Sequence, residues 1–297
     1  MTTAQPASAH QDLSRAERYR KDGYLVINDL IDASEIAQLS KAVEMNADTR
    51  CYREAEGTIH LLGITERHPA FLALARHPRI LTILEELIGP DIVLNHSKLA
   101  AKPLQAGQGE FPWHQDGAYY PHTNADVPSV MVMLDDSTPD NGCMYMVRGS
   151  HRLGYLNHED AEGYFSGMCQ DRVWERVPED VVAITPRAGG ISIHSPFMLH
   201  YSPVNHSGAP RRGLTFAYRA ADSYQLADDL WSETGMVVHG AYRGVVRCDG
   251  SSMKLPRIRP GTPRGDFGTA WNQTGPFGRQ QNQVQGLRES GIPPSAL

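Results

Sequence analysis

The chain has 297 residues, of which 40% are hydrophobic and 21% are charged, and its net charge is −6. This length is enough for a large core, and the composition excludes a coiled coil or a mainly disordered chain. A mildly acidic chain without a long basic run is not expected to bind nucleic acid. The four cysteines are widely spaced, which indicates free thiols in a reducing compartment.

No part of the sequence is predicted to enter a membrane. Residues 1–11 are polar and lack the apolar stretch of a secretory signal. Residues 188–210 contain no Asp, Glu, Lys or Arg, but the segment is interrupted by histidines, prolines and glycines and is not expected to cross a bilayer as a helix. We therefore expect a cytoplasmic protein with no membrane or nucleic-acid partner.

The elements predicted in chain order fit one domain over residues 1–297. Residues 1–12 are expected to be flexible, and a mostly helical flank follows over residues 13–90. Helices are predicted at Leu13–Lys21, Ile36–Met45 and Pro69–Ile88, with a strand at Tyr24–Ile27 and a possible break of the last helix near His77-Pro78. Asp32, followed three residues later by Glu35, is typical of a helix N-terminus.

Residues 91–220 change to short apolar or alternating runs separated by turns. Strands are predicted at Ile92–Ala101, Ser129–Leu134, Cys143–Val147, Val181–Ile184, Gly190–His194 and Gly213–Tyr218. Many short strands predict a mainly β sandwich or barrel with helices packed outside. Residues 221–297 are predicted to be a C-terminal extension, either a surface tail or a lid.

A histidine and a carboxylate one residue apart form the most informative motif, at His114-Gln115-Asp116. On a strand, positions i and i+2 face the same side, so both side chains could reach one ion. One imidazole and one carboxylate suit Fe(II), Mn or Zn. The motif alone also occurs by chance on surface strands.

A third ligand is expected from the segment that ends at His200, with His194 as a rival on the same face of an unbroken strand. Two histidines, one carboxylate and open positions are the donor set of non-haem Fe(II) oxygenases. Arg211 or its neighbour Arg212 could hold a remote carboxylate in a bidentate pair. Strand alternation should turn one of these two arginines inward and the other outward.

Three sequence blocks together resemble the phytanoyl-CoA dioxygenase family. They are His114-Gln115-Asp116, then Asn141-Gly142 with Gly149-Ser150-His151, then His200, Ser202, Asn205 and Arg211 at the family spacing. The resemblance covers roughly residues 13–220. It implies a double-stranded β-helix core (a jelly roll, as in cupins) and an oxygenase that uses Fe(II), 2-oxoglutarate and O2.

The resemblance also implies roles for individual residues. His114, Asp116 and His200 would hold the iron, which leaves His194 as a supporting or packing residue. Arg211 together with Ser202 would bind the far carboxylate of 2-oxoglutarate.

Three further assignments keep an alternative open. Lys98 matches a family position that lines the cosubstrate, although Lys102 lies nearby and a solvated lysine is common. Tyr119 and Tyr120 directly follow the metal motif and are predicted either to line the substrate pocket or to pack in the core.

The predicted activity is hydroxylation of a small metabolite or natural-product intermediate, with release of succinate and CO2. Desaturation, cyclisation, epimerisation or endoperoxide formation are alternative outcomes of the same chemistry. A cupin-like zinc hydrolase or isomerase and a small-molecule binding protein with a vestigial metal site are the competing classes. The acidic residues Asp126, Asp135 and Asp136 favour a neutral or cationic substrate over an acyl-CoA.

Overall fold

The structure is a computed structural model that describes residues 13–46, 52–53, 59–102, 110–227, 232–250 and 252–260. The helices of this part are α1 (Arg15–Asp22), α2 (Ala33–Asn46), α3 (Pro69–Ala75), α4 (Pro78–Ile88) and α5 (Val173–Arg176). The strands are β1 (Tyr24–Ile27), β2 (Tyr52–Arg53), β3 (Ile59–Leu62), β4 (Ile92–Lys102), β5 (Phe111–His114), β6 (Ser129–Met133), β7 (Met144–Val147), β8 (Val181–Ile184), β9 (Ile191–His194), β10 (His200–Ser202), β11 (Arg211–Ala220) and β12 (Met236–His239). The predicted flexible segment 1–12 and the end of the chain after residue 260 lie outside the described residues.

The N-terminal helices begin and end where the sequence places the signals. Asp32 accepts hydrogen bonds from the backbone N–H groups of Ser34 and Glu35, and Glu35 accepts one from the backbone of Asp32. This reciprocal pair is the predicted capping box. The predicted break at His77-Pro78 is also confirmed, because α3 ends at Ala75 and Pro78 opens α4 three residues later.

Two antiparallel sheets form the mainly β core that the sequence predicts. The major sheet has the strand order β1-β9-β6-β11-β4-β3-β2, with β12 paired to β4, and the minor sheet has the order β5-β10-β7-β8. Side chains from the two sheets meet between them: the rings of His194 on β9 and His200 on β10 lie 4.7 Å apart. This arrangement is a jelly roll with helices outside.

The two faces of the major sheet have different chemistry because strand residues alternate in direction. One face packs against α2, α3 and α4 and forms the largest apolar cluster, with members such as Phe71, Ile83 and Phe216. The opposite face points between the sheets and carries polar side chains, among them Ser129 and His194. The helices therefore bury the apolar face, and the polar face is left for a site.

Part of the predicted C-terminal extension joins the fold. Strand β12 pairs with β4, and the buried Glu233 just before it accepts hydrogen bonds from Thr65 and Ser97. Farther on, the backbone N–H of Phe165 donates to the carbonyl of Arg257 at 2.9 Å. The extent of the domain over 1–297 stays a prediction.

No helix within the described ranges combines the length and apolar composition needed to cross a bilayer.

Candidate metal centre and adjoining cavity

Three buried side chains converge between the two sheets. Nε2 of His114 lies 3.7 Å from Oδ1 of Asp116, and Nε2 of His200 lies 3.8 Å from the same oxygen. One ligand atom from each residue falls within 4.8 Å of the others. The strands explain this meeting, because His114 on β5 and His200 on β10 are directly opposite in the antiparallel pair.

Asp116 reaches this point by a turn and not along the strand that the sequence predicts. Strand β5 ends at His114, and Asp116 begins a short 3-10 turn. The reason is the side chain of Gln115, which donates to the carbonyls of Gly154 and Phe197 and accepts from the backbone N–H of Leu156. These bonds pull the backbone out of the sheet, so the shared-strand geometry is wrong although both side chains meet as predicted.

Both histidines are oriented by the backbone two residues before them. Nδ1 of His114 lies 2.8 Å from the carbonyl of Pro112, and Nδ1 of His200 lies 2.9 Å from the carbonyl of Met198. Because a carbonyl only accepts, each Nδ1 carries the hydrogen and each Nε2 presents a lone pair. Burial lowers the pKa of His200 to about 4 and that of His114 well below its usual value, so both rings are neutral near pH 7.

The carboxylate of Asp116 is fixed through one of its two oxygens. Oδ2 accepts from the hydroxyl of Ser129 at 2.6 Å and from Nε2 of His194 at 3.1 Å. Burial would raise the pKa of Asp116, but the hydrogen bond from His194, the neighbouring imidazoles and Lys98 hold that pKa well below its usual range. Oδ1 is left facing the two imidazole lone pairs.

The rival ligand His194 therefore supports the carboxylate. The sequence suggested one unbroken strand through His194 and His200, but β9 ends at the first and β10 begins at the second, in different sheets. Ser129, which the sequence analysis did not single out, has the same role. Its place as the first residue of a predicted strand gave no sign that it faces a carboxylate.

This donor set fits a divalent metal ion. Three lone-pair donors face one another with no hydrogen atom between them, an arrangement that needs a cation in the middle to be favourable. Two neutral imidazoles and one carboxylate suit Fe(II) among the first-row metals.

A cavity adjoins the metal centre. Its lining includes the three candidate ligands, and also Lys98, Met131, Ser202, Arg211 and Thr215. In the antiparallel pair of β4 with β11, Lys98 lies opposite Thr215. Thr215 Oγ1 is buried without a hydrogen-bond partner, so a polar ligand would find a free group there.

Arg211 is a buried cation in this cavity. Its side chain contacts Ser202 Oγ at 3.4 Å and Met131 Sδ at 3.5 Å, and its Nε has no partner. Among the described residues no carboxylate lies within ion-pair distance of it. Burial lowers its pKa to about 10, which leaves it charged at neutral pH. A buried, unpaired guanidinium is a place for an incoming carboxylate.

The neighbouring arginine is already paired. Arg212 points to the other side of β11 and makes two hydrogen bonds to the carboxylate of Asp135, at 2.8 and 2.9 Å. The expected alternation, with one arginine inward and one outward, is confirmed, and Arg211 is the inward one.

Ser202 and Lys102 close this end of the cavity. The hydroxyl of Ser202 donates to the carbonyl of Gly142 at 2.8 Å. The ammonium of Lys102 donates to the carbonyls of Ser202 and Pro203. Lys102 is thus held by backbone oxygens, whereas the side chain of Lys98 makes no such bond to any residue that the structure describes.

Tyr119 and Tyr120 lie beside the cavity and are not part of its lining. The hydroxyl of Tyr119 donates to the carbonyl of Gly167 at 2.7 Å, and its ring packs edge-on against Phe165. The ring of Tyr120 packs against His96 with 4.9 Å between centroids. Both tyrosines pack against neighbouring rings, and a role for them in the substrate pocket stays a prediction.

The acidic residues used to predict the substrate charge lie away from the cavity. Asp135 is paired with Arg212, Asp126 is paired with Arg247, and Asp136 accepts from the backbone N–H of Ala188. The expectation of a neutral or cationic substrate therefore had a wrong premise.

Burial of two histidines apart from the candidate ligands predicts a pH-dependent stability. Burial lowers the pKa of His122 to about 3 and that of His158 to about 4. The unfolded chain takes up these protons near pH 6.5, so it binds more protons than the folded chain between pH 6.5 and 4. We expect the free energy of unfolding to fall from pH 7 to pH 5 by about 2 kcal/mol for each ring.

Urea unfolding at pH 7, 6 and 5 measures this effect. His158→Gln should weaken the pH dependence, whereas the same change at the exposed His206 should leave it unaltered. Equal stability at pH 7 and pH 5 would contradict the prediction.

The fold and the site together define a class of protein. A jelly roll with two histidines and one carboxylate around open space, beside a buried arginine, is the arrangement of a non-haem iron oxygenase. The chain belongs to the phytanoyl-CoA dioxygenase family, whose sequence model matches residues 19–213. It is an enzyme of the Fe(II)- and 2-oxoglutarate-dependent dioxygenase class, with O2 as the second cosubstrate.

Known proteins agree with this assignment. The chain is 30% identical to a probable alpha-ketoglutarate-dependent hypophosphite dioxygenase of Stutzerimonas stutzeri, over 81% of this chain and 87% of that protein. It is 27% identical to an ectoine dioxygenase of Sphingopyxis alaskensis, over 75% and 79% of the two chains. Its fold matches the crystal structure of the epimerase SnoN in complex with Fe3+, alpha ketoglutarate and nogalamycin RO. That match has a TM-score of 0.61 and 24% identity, over 76% of this chain and 95% of that one.

Proposed function

We propose that His114, Asp116 and His200 hold the Fe(II) ion and that Arg211, with Ser202, binds the far carboxylate of 2-oxoglutarate. The enzyme then hydroxylates a small molecule, consuming O2 and releasing succinate and CO2. The observation that carries this proposal is the buried, unpaired guanidinium of Arg211 in the same cavity as three convergent ligand atoms.

When bound, Fe(II) supplies the activation of O2 that drives oxidative decarboxylation of 2-oxoglutarate. The protein supplies position. Three protein ligands leave coordination sites for the cosubstrate and O2. Ser129 and His194 hold Oδ2 of Asp116, which keeps Oδ1 directed at the metal position.

Arg211 determines which keto acid can bind. Its guanidinium, held against Ser202 and Met131, offers donors in a fixed plane in the same cavity as the candidate metal ligands. A keto acid that lacks the second carboxylate leaves this buried charge unpaired, which is costly. The cavity therefore selects a dicarboxylate and excludes simple 2-oxo acids such as pyruvate.

Succinate release tests the proposal. Purified protein with Fe(II), 2-oxoglutarate and O2 should form succinate, more rapidly when a metabolite panel contains a substrate. Omission of iron, or replacement of 2-oxoglutarate by pyruvate, should stop it. A zinc hydrolase on the same barrel would need no 2-oxoglutarate, so a reaction that proceeds with Zn and without the keto acid would reject the proposal.

Product mass distinguishes the oxidative outcomes. Hydroxylation adds one oxygen atom, which should carry the label when the reaction runs under labelled O2. Desaturation removes two hydrogens, and epimerisation, the activity named for the structural neighbour SnoN, leaves the mass unchanged.

A further inference from the structure

The charges in the cavity do not balance when only the metal and the cosubstrate are present. The lining carries three cations, Lys98, Lys102 and Arg211, and one carboxylate, Asp116. A divalent metal ion and a dianionic keto acid cancel each other. The described lining therefore keeps a net excess of positive charge after both have bound.

Two of these three cations already have partners under the proposed function. Arg211 would pair with the far carboxylate of 2-oxoglutarate, and the near carboxylate would lie on the metal. Lys102 is almost fully buried and its ammonium is bonded to the carbonyls of Ser202 and Pro203. Lys102 is therefore already engaged, and without it the two remaining cations, Lys98 and Arg211, still outnumber the one carboxylate of the described lining.

Lys98 is the cation that is left without a partner. Its side chain lines the cavity and, within the part of the chain that the structure describes, has neither a hydrogen bond nor an ion pair. It stands on the same face of β4 as Lys102, opposite the unpartnered hydroxyl of Thr215 on β11. Burying further positive charge beside it would be unfavourable, whereas an anion would gain from it.

We infer that the substrate is a small oxyanion, a carboxylate or a phosphonate, and that Lys98 provides its countercharge. This inference rests on the proposed function and names its substrate class. It replaces the expectation that Lys98 contacts the cosubstrate.

Calorimetry without O2 tests the inference separately from turnover. The protein is first loaded with Fe(II) and titrated with 2-oxoglutarate, and the saturated complex is then titrated with probes of similar size. Propionate and methylphosphonate are the anions, propionamide is the neutral probe and propylamine is the cation. We expect at least one anion to bind tenfold or more tightly than propionamide, and propylamine to bind most weakly.

Variants of Lys98 identify the countercharge. Lys98→Met should lower the ratio of anion affinity to propionamide affinity at least tenfold. Lys98→Arg should retain most of that ratio. The same change at Lys41, an exposed lysine on α2, is the matched control and should have no effect. The two anions distinguish a carboxylate site from a phosphonate site.

The proposed function and the substrate class can be rejected separately by these measurements. If 2-oxoglutarate does not bind the iron-loaded protein, the proposed function is wrong. If it binds but propionamide binds as tightly as both anions, only the inference about the substrate is wrong. If Lys98→Met weakens 2-oxoglutarate and leaves the anion preference unchanged, Lys98 serves the cosubstrate and its assignment here is overturned.

Discussion

Replacing Asp116 with alanine is expected to lower 2-oxoglutarate-dependent succinate formation by more than about 100-fold. Loss of a residue that merely orients a metal ligand already costs about 10- to 100-fold, and this change removes a ligand. Affinity for Fe(II), measured by anaerobic titration, should fall with the activity. Ser129→Ala, which removes one hydrogen bond to the same carboxylate, should give a smaller loss of both.

The fold of the Asp116→Ala protein must be checked independently. Asp116 is buried, so its removal leaves the hydroxyl of Ser129 and the ring of His194 without an acceptor. Far-ultraviolet circular dichroism should nevertheless match the wild type, because the side chain is no part of the apolar core. Asp126→Ala, at a carboxylate outside the cavity, is the control. A folded Asp116→Ala protein with more than a tenth of wild-type activity would contradict the metal assignment.

Arg211→Met and Arg212→Met should differ greatly in their effect on the KM for 2-oxoglutarate. The first removes the proposed partner of the cosubstrate and should raise the KM for 2-oxoglutarate about 100-fold, in line with the loss of about 2–3 kcal/mol from a charge-assisted pair. The second breaks the pair with Asp135 outside the cavity and should change that KM less than about threefold.

The thermal stability of the same two variants tests the choice of Arg211 independently. Arg211 is a buried charge without an anion, so methionine should leave the ligand-free protein as stable as the wild type or more stable. Added 2-oxoglutarate should raise the Tm of the iron-loaded wild type but not that of Arg211→Met. Arg212→Met should lower the Tm and keep the stabilisation by 2-oxoglutarate. Equal changes of KM in both variants would reject the choice of Arg211.

The sequence predicted what depends on local pattern and on the order of motifs. The capping box at Asp32, the break before Pro78 and the opposite directions of Arg211 and Arg212 follow from rules that act within a few residues. The meeting of His114, Asp116 and His200 was expected only because three blocks matched a family, since spacing along a chain does not show which strands pair.

Other features depend on partners distant in the sequence, and the pattern could not show them. His194 and His200 share an apolar run, yet they sit in different sheets because the chain leaves one strand and begins another. In the sequence, Asp135 suggested acidic surroundings for the substrate. In the structure its carboxylate is paired with Arg212. The positive charge of the cavity could not be predicted, because it depends on the register of β4 with β11. That register places Lys98 and Arg211 on neighbouring strands with both side chains facing inward.

The side chain of Gln115 explains why the residue between the two motif ligands is not an arbitrary spacer. It gives two hydrogen bonds to carbonyls and takes one from an N–H group, and all three partners belong to other segments of the chain. Only a carboxamide offers both donors and an acceptor, and asparagine is one methylene shorter. Glutamate would set an acceptor against two carbonyl oxygens. The surrounding chain thus requires glutamine at position 115. A substitution there would misplace the candidate ligands on either side, His114 and Asp116.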